Sequence, residues 1–365
     1  SPHVFTLRTV EDTFRIHEAA SRQKPKTAVV VGGGFIGVEM AENLAALGIA
    51  VTLVEKQTQL LSQLDADMAS LVHAHMKSKG IQLLLGKSVA GFEDKTSGIV
   101  TNIEADEPIL SDMVILSIGV LPDSSLAADA GLELGFKNSI AVNDWMQTSN
   151  PDIYAVGDAA EITHSVSGEK ALISLAGPAN KQGRIAADHI CGVAHTYKGS
   201  AASSVLKVFD LTVASTGINE RTAVASGIDY EKIVLSPMSH ASYYPGGTVM
   251  TIKLLFERES DRILGAQIVG SDGVDKRIDV IATAMQAGIT AIGLKDLDLA
   301  YAPPYSSAKD PVNMACFMAE NIADGLVKQF HYEDIADLRC RENVILLDTR
   351  TPAEYARGHA EGFRN

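Results

Sequence analysis

Three cysteines in 365 residues, Cys191, Cys316 and Cys340, lie far apart and form no Cys-x-x-Cys. That spacing argues against a disulfide framework and against a zinc or other metal site, and it suits a reducing cytoplasm. Basic charge is short as well: 31 Lys and Arg stand against 45 Asp and Glu, for a net charge of −14. Such a balance disfavours a nucleic-acid or anionic membrane partner and leaves room only for local basic pockets that hold a phosphate. No secretory leader pattern and no 18-residue apolar run occurs, so no membrane-spanning segment is expected. What is present is ordinary globular composition, 46% hydrophobic and 21% charged. The length suits two or three domains with cores that need no covalent staple.

The first complete module is a nucleotide-binding pattern. Thr27–Val31 is a continuous apolar, β-rich run, as a buried parallel strand requires. Gly32-Gly33-Gly34-Phe35-Ile36-Gly37 follows, and then a helical period over Val38–Leu47 that stops at Gly48. A second strand, Ala50 to Val54, delivers Glu55, 18 positions after Gly37. In this strand-turn-helix context Gly32 permits the tight turn, Gly34 lets backbone approach a pyrophosphate, and Gly37 lets helix and strand pack closely. The helix N-terminus supplies free N–H groups and positive dipole. Glu55 can accept both ribose hydroxyls and would repel a 2′-phosphate, which favours NADH over NADPH; the adjacent Lys56 weakens that preference. Ile81–Leu85 and Val89–Glu93 read as strands and Ile99–Ala105 as part of a hairpin. The module closes on a strand from Asp112 that breaks at Gly119 and Pro122. The break either sets backbone beside a nicotinamide or is a plain turn.

Thr148-Ser149-Asn150-Pro151-Asp152-Ile153-Tyr154-Ala155-Val156-Gly157-Asp158 carries a second cofactor pattern. A strand over Ile153–Val156 would place Asp158 past its C-terminal end, where ligands sit in open α/β sheets and where a carboxylate can accept from the hydroxyls of a ribityl chain. The eleven residues read as the closing half of an FAD site. Ile140–Val142 reads as a short strand before it. Leu175–Ile190, ending at Gly192, reads as a helix whose first turn, near Ala176, would stabilise negative charge on a reduced flavin if it faces the ring; otherwise it is a surface helix. The order is that of a flavin domain interrupted by a nicotinamide domain, with its opening half expected before Ser1.

From about residue 205 the pattern is strands then helices, an α+β arrangement. Strands are expected at Leu211–Thr216, Lys232–Leu235, Val249–Glu257 and Ile263–Val269, and helices at Val274–Ala287 and Pro311–Gly325. Two Pro/Gly-rich loops, His240–Gly247 and Tyr301–Pro311, are dense in phenols and hydroxyls, and such loops often carry function. A tyrosine hydroxyl there can protonate a departing thiolate, and Lys309 can hold a phosphate as a point charge. The plainer alternative is tyrosines packed on prolines. In the tail, Val344–Arg350 reads as a buried strand followed by Glu354, Tyr355 and Gly358-His359. A strand and one turn do not fold alone, so a further domain is expected to continue beyond Asn365.

Together the glycine motif, Thr148–Asp158 and the two tyrosine loops resemble the pyridine nucleotide–disulfide oxidoreductases, and within them coenzyme A disulfide reductases and NADH-dependent persulfide reductases carrying a C-terminal rhodanese domain. Tyr301–Pro311 is the most specific element, and Leu347–Arg350 with Glu354, Tyr355, His359 and Gly362 resembles a rhodanese opening. The resemblance implies an α/β fold: Rossmann-like FAD- and NAD(P)-binding domains, an α+β dimerisation domain and the start of an α/β rhodanese domain. The implied limits are 1–23 for a connector, 24–122 for the NAD(P)H domain, 123–200 for the second part of the FAD domain, 201–328 for dimerisation and 329–365 for the rhodanese start.

The resemblance also implies roles. Gly32, Gly34, Ile36, Gly37, Glu55 and Lys56 bind NADH, with NADPH also accommodated, and Gly119 lies beside the nicotinamide half. Phe35 is an aromatic gate on the flavin and Glu39 lies near the nicotinamide carboxamide. Thr148, Gly157, Asp158 and Ala176 hold FAD. Tyr243 and Tyr301 assist thiolate departure in the partner subunit of a homodimer. Lys309 contacts the phosphates of coenzyme A, and Asn180 lines that site. The implied reaction is NAD(P)H-dependent reduction of CoA disulfide, persulfide or polysulfide, with NADH oxidase or peroxidase chemistry and plain flavoprotein electron transfer as alternatives. Two departures stand out: none of the three cysteines matches the redox cysteine of the family, and Leu121 stands where relatives often have arginine.

Overall fold

A computed structural model describes residues 1–365. The first region runs through β1 (Val4–Thr6), α1 (Val10–Gln23), β2 (Thr27–Val31), α2 (Phe35–Ala46), β3 (Ala50–Glu55), α3 (Ala66–Ser78), β4 (Gln82–Leu85), β5 (Val89–Lys95), β6 (Gly98–Ile103), β7 (Ile109–Ser111) and β8 (Met113–Leu116). Five strands form a parallel sheet in the order β1-β8-β2-β3-β4. The period of two along β2 assigns its faces. Ala28 and Val30 point to the helical side with Val38, Leu44 and Val72, while Val29 and Val31 meet Ile99 and Ile103 of the antiparallel β5-β6-β7 layer. The residues expected as a connector supply the edge strand β1, paired with β8, and α1, which opens on a reciprocal Thr9–Asp12 capping box.

The expected helix after the glycine motif, both later strands and the hairpin all form within a few residues of their expected limits. The flavin-side expectations need correction. After α4 (Ser125–Asp129), Ile140 makes only single bridges to Leu134 and Ala160, and Ile153–Val156 is not a regular strand. That segment pairs on one side alone, through a Gln147–Tyr154 bridge and the bonds Thr148 N–H to Ile153 O and Ala155 N–H to Met146 O, at 2.9 and 3.0 Å. Two short strands, β9 (Ile162–Thr163) and β10 (Lys170–Ala171), and the expected helix α5 (Ala176–Ile190) complete this region around Met146, Ile162, Ala186 and Tyr197.

The third region is an antiparallel sheet, β11-β12-β15-β14-β13, built from β11 (Ser204–Val208), β12 (Leu211–Gly217), β13 (Tyr230–Leu235), β14 (Met250–Glu257) and β15 (Ile263–Gly270). α6 (Glu220–Ala225) links β12 to β13, α7 (Val274–Ala287) packs on the sheet, and α8 (Pro311–Ala323) follows. Leu206, Val208, Val213 and Val269 join the same core as α2 and α3. The chain divides into two units, Ser1–Phe317 and Met318–Asn365. In the second unit α9 (Ile335–Arg339) and α10 (Pro352–Arg357) form, the latter capped by Thr351 and Glu354. The expected buried strand Val344–Arg350 does not: Leu347 makes one bridge to Arg364, and Ile345 and Leu347 are exposed. The Arg364 segment beside it pairs only through that bridge, with Asp348 N–H donating to Arg364 O at 2.7 Å and Arg364 N–H to Leu346 O at 2.9 Å. No helix of the chain is long and apolar enough to cross a membrane.

A buried charge network fastens the third region to the first. Lys253 of β14 has 0% exposure, and its ammonium lies 2.9 Å from both Asp67 carboxylate oxygens, 3.1 Å from Asp65 Oδ2 and in contact with Glu220. Gln267 donates to Asp65 Oδ2 at 2.7 Å and accepts the Asp65 N–H at 2.7 Å. Burial pushes the Glu220 carboxyl up, but hydrogen bonds from Lys232, Lys253 and Tyr230 outweigh it and hold the group down to about 2. Burial pushes Lys253 toward neutrality, and the surrounding carboxylates reverse this and raise it. Asp65, Asp67 and Glu220 converge as a divalent-ion site would, but the ammonium occupies their common centre.

Removing one partner of such a cluster leaves buried charge uncompensated, at a cost of about 3–5 kcal/mol. Lys253→Met is expected to lower stability by that amount at pH 7. The Glu220 contribution in the native protein is present above about 4.5 and fades as pH falls toward about 2. In the variant the carboxylates lose their counter-ion and take up protons at higher pH, so the deficit narrows on acidification to about pH 5. Thermal melts across this range check both points, and a small deficit that does not change with pH would refute them.

Candidate functional site

The C-terminal ends of β2 and β8 form the first candidate site, beside the point where the sheet order reverses. Gly32 has φ +108°, and a Cβ there would lie 2.2 Å from the Ser117 carbonyl oxygen of the neighbouring strand end; one at Gly37 would lie 1.8 Å from the Gly32 carbonyl oxygen. Both positions therefore require glycine, for the turn and for close helix–strand packing respectively. Ser117 Oγ fastens this corner by donating to the carbonyls of Val31 and Gly32 at 2.9 and 3.1 Å. In contrast, nothing lies within 4 Å of a Cβ at Gly34, which is the N-cap of α2 and offers no capping side chain. The first turn of α2 carries no acidic residue. Open space, uncapped N–H groups and an unopposed helix dipole fit a pyrophosphate.

Glu55 is held at the end of β3 by two backbone donors, Gly33 N–H to Oε2 at 2.5 Å and Gln57 N–H to Oε1 at 2.7 Å. The carboxylate is thereby fixed beside the glycine loop with acceptor capacity to spare for sugar hydroxyls. Lys56 and Glu39 are exposed, and Phe35 and Ile36 are half-buried at the start of α2. Gly119 has φ +100°, which confirms a break after β8, and Ile118 and Leu121 beyond it are exposed, Leu121 at 85%.

The floor of this site is a loop that the sequence did not point to. Leu61 has φ +52° and donates its N–H to the Gly33 carbonyl at 2.9 Å. Leu60 donates its N–H to His73 Nε2 at 3.0 Å, so that ring nitrogen carries no proton, and burial lowers the His73 pKa. Leu60, Leu61 and Leu64 are all buried, and Asp65 at the end of the loop enters the Lys253 network. Leucines in a polar loop were the available signal; the left-handed turn was not legible.

On the flavin side, Gly157, with φ +77°, and Asp158 lie in a short helical turn packed on α5, where the Gly157 N–H donates to Gln182 Oε1 at 2.7 Å. Asp158 is exposed. Thr148 is occupied by the turn itself, its hydroxyl facing the carbonyls of Asn150 and Ile153 at 3.0 and 3.1 Å. Ala176 and Asn180 are exposed in the first turns of α5, which has neither an acidic first turn nor a side-chain cap. The exposed carboxylate and the uncapped helix start suit, respectively, sugar hydroxyls and negative charge.

The two tyrosine loops converge. Tyr243 and Tyr301, 58 positions apart, place their hydroxyls 2.9 Å from each other. Both are exposed, Tyr243 at 74%. The hydrogen bond between Tyr301 and Tyr243 raises the Tyr301 pKa, as when Tyr301 donates, so its phenol stays protonated. A cavity of about 560 Å³ beside Tyr301 is lined also by Asp272, Lys276, Arg277, Pro304 and Tyr305. Lys309 is exposed on the same loop. Cys316 is buried in α8, while Cys191 and Cys340 are exposed.

Comparison with known proteins identifies the family. Residues 1–183 match the pyridine nucleotide-disulphide oxidoreductase family, and residues 203–311 match the dimerisation domain of the same family. The chain is 33% identical over 323 residues to a coenzyme A disulfide reductase of Staphylococcus haemolyticus, an alignment covering 88% of this chain and 72% of that one. It is 37% identical over 317 residues to an NADH oxidase of Methanocaldococcus jannaschii, covering 86% and 69%. The crystal structure of reduced CoADR-RHD from Bacillus anthracis superposes with a TM-score of 0.95 at 48% identity, over 100% of this chain and 65% of that one. The chain thus spans just under two thirds of that structure's length. With a matched profile over half its residues and relatives above 30% identity, the chain belongs to the pyridine nucleotide-disulphide oxidoreductase family.

Proposed function

We propose that this chain is part of a flavoenzyme that uses NADH to reduce CoA disulfide or CoA persulfide and polysulfide, working as a homodimer in the cytoplasm. None of Cys191, Cys316 and Cys340 is given the role of the redox cysteine in this reading. The chemistry that a bound FAD would supply is two-electron transfer between the reduced nicotinamide and sulfur. The chain's own residues bind and orient. Gly32, Gly34 and Gly37 with the start of α2 receive the NADH pyrophosphate, and Glu55 accepts the ribose hydroxyls and repels a 2′-phosphate. Phe35 and Glu39 face the nicotinamide side, with Gly119 at the end of β8. Asp158, Gly157 and the α5 start at Ala176 hold FAD, and Thr148 keeps their turn in shape. Asn180 and Lys309 meet the coenzyme A moiety. Residues 201–328 form the dimerisation domain and 329–365 the start of a rhodanese domain.

The observation that carries this reading is the phenol pair. Two exposed hydroxyls held 2.9 Å apart by separate loops are poorly explained by packing and well suited to giving a proton to a departing thiolate. An NADH oxidase is the second reading, favoured by the 37% identical relative of that name. Oxygen uptake in the absence of any CoA disulfide separates the two.

Tyr301→Phe is expected to lower kcat for CoA disulfide by about 100-fold, in the range for loss of a general acid, with Tyr243→Phe following in the same direction. NADH-dependent flavin reduction should be unchanged in both, and undiminished disulfide turnover would sink the assigned role. Glu55→Ala is expected to raise KM for NADH by about tenfold or more, as loss of charge-assisted hydrogen bonds predicts, while narrowing the preference over NADPH. Steady-state kinetics with both nucleotides check this, and an unaltered NADH-to-NADPH ratio would exclude Glu55 from the ribose site.

A further inference from the structure

Tyr243 and Tyr301 are exposed and stand on irregular loops, yet their hydroxyls meet within hydrogen-bond distance. Something beneath must fix both loops. Arg277 of α7 lies under them with 1% exposure. Its Nη2 donates to the Ser239 carbonyl at 3.0 Å, on the loop that leads to Tyr243. The same nitrogen contacts the Tyr305 carbonyl at 3.2 Å, Ser306 Oγ at 3.1 Å and Asp310 Oδ2 at 3.0 Å, all on the loop that begins at Tyr301. Nη1 donates to the Gly273 carbonyl at 3.0 Å, just ahead of α7.

The surroundings complete the clamp. Ser306 Oγ donates to Asp310 Oδ2 at 2.7 Å, and the Ala241 N–H donates to the Ser306 carbonyl at 3.0 Å, which ties one loop to the other directly. Burial works to raise the Asp310 pKa, but the Val312 N–H, the Ser306 hydroxyl and the guanidinium outweigh it, so Asp310 remains an anion opposite Arg277. A permanently charged guanidinium, with donors on Nη1, Nη2 and Nε, can face carbonyls from two loops and a carboxylate at once. A lysine would keep the charge opposite Asp310 but lose the divergent geometry.

We propose that Arg277 is a positioning residue for the phenol pair, fixing both tyrosine loops from one buried guanidinium so that the Tyr243 and Tyr301 hydroxyls are held in register for substrate. The proposal rests on the role given above to the phenols. It makes Arg277 act through the two loops it ties, although the residue also borders the cavity beside Tyr301.

The test compares Arg277→Lys, Tyr301→Phe and the double variant in the flavin-loaded enzyme, reading disulfide turnover and NADH-dependent flavin reduction separately. Arg277→Lys should lower kcat for CoA disulfide by about tenfold, the scale expected of a small displacement of a catalytic group, while leaving flavin reduction and KM for NADH unchanged. In the Tyr301→Phe background the same change should cost nothing further. Native turnover by Arg277→Lys, or an equal fractional loss in both backgrounds, would overturn the proposal. Should Arg277→Lys not fold, Ser306→Ala removes one arm of the clamp and should show a smaller loss with the same dependence on Tyr301; an additive loss would again overturn it. Full turnover by Tyr301→Phe alone would instead defeat the phenol reading, and this proposal with it.

Discussion

A single ammonium without solvent contact decides how the first and third regions meet. Lys253 projects from the middle of β14 into a space walled by Asp65, Asp67 and Glu220, and it can be accommodated only if α3, α6 and the sheet all arrive in one register. Burial of an unpaired lysine would cost far more than one apolar contact contributes, so the pairing acts as a condition on assembly. The condition reaches the nucleotide site. Asp65 ends the loop whose Leu61 N–H binds the Gly33 carbonyl, and Gly33 in turn binds Glu55. The glycine loop is thus positioned from below by contacts that begin in another region.

Much of the first region was legible because its information is local. A buried parallel strand, a glycine turn and an acidic strand end each impose residue types at fixed offsets, and the left-handed backbone of Gly32, Gly48 and Gly119 follows from them. The antiparallel sheet was legible by apolar runs. What failed depended on partners. Ile153–Val156 and Val344–Arg350 have strand composition, but a ladder is a property of two segments, and pairing is absent from composition. Lys253 and Arg277 were missed for the opposite reason: charged side chains in an amphipathic pattern read as solvated, and only the fold reveals the carboxylates waiting for them.

The candidate site shows the same division. Gly32, Gly34, Gly37 and Glu55 converge as their spacing implied, whereas the meeting of Tyr243 and Tyr301 spans 58 positions and could be read only as two separate phenol-rich loops. Lys309 and Asn180 are exposed on the expected elements. The Thr148 hydroxyl faces two carbonyls of its own turn, a local use that its place in the motif did not reveal.

The contact between Tyr243 and Tyr301 has a consequence of its own in proton counting. Two phenols carry two hydroxyl protons, and one of these is taken by the bond between them. Whichever ring donates inward turns its partner's proton outward, so the pair presents one donor to the outside and never two. Exchanging which ring presents it requires both hydroxyls to rotate together. The pair is therefore a single directional donor with two exits, and it switches between them without any change in the backbone.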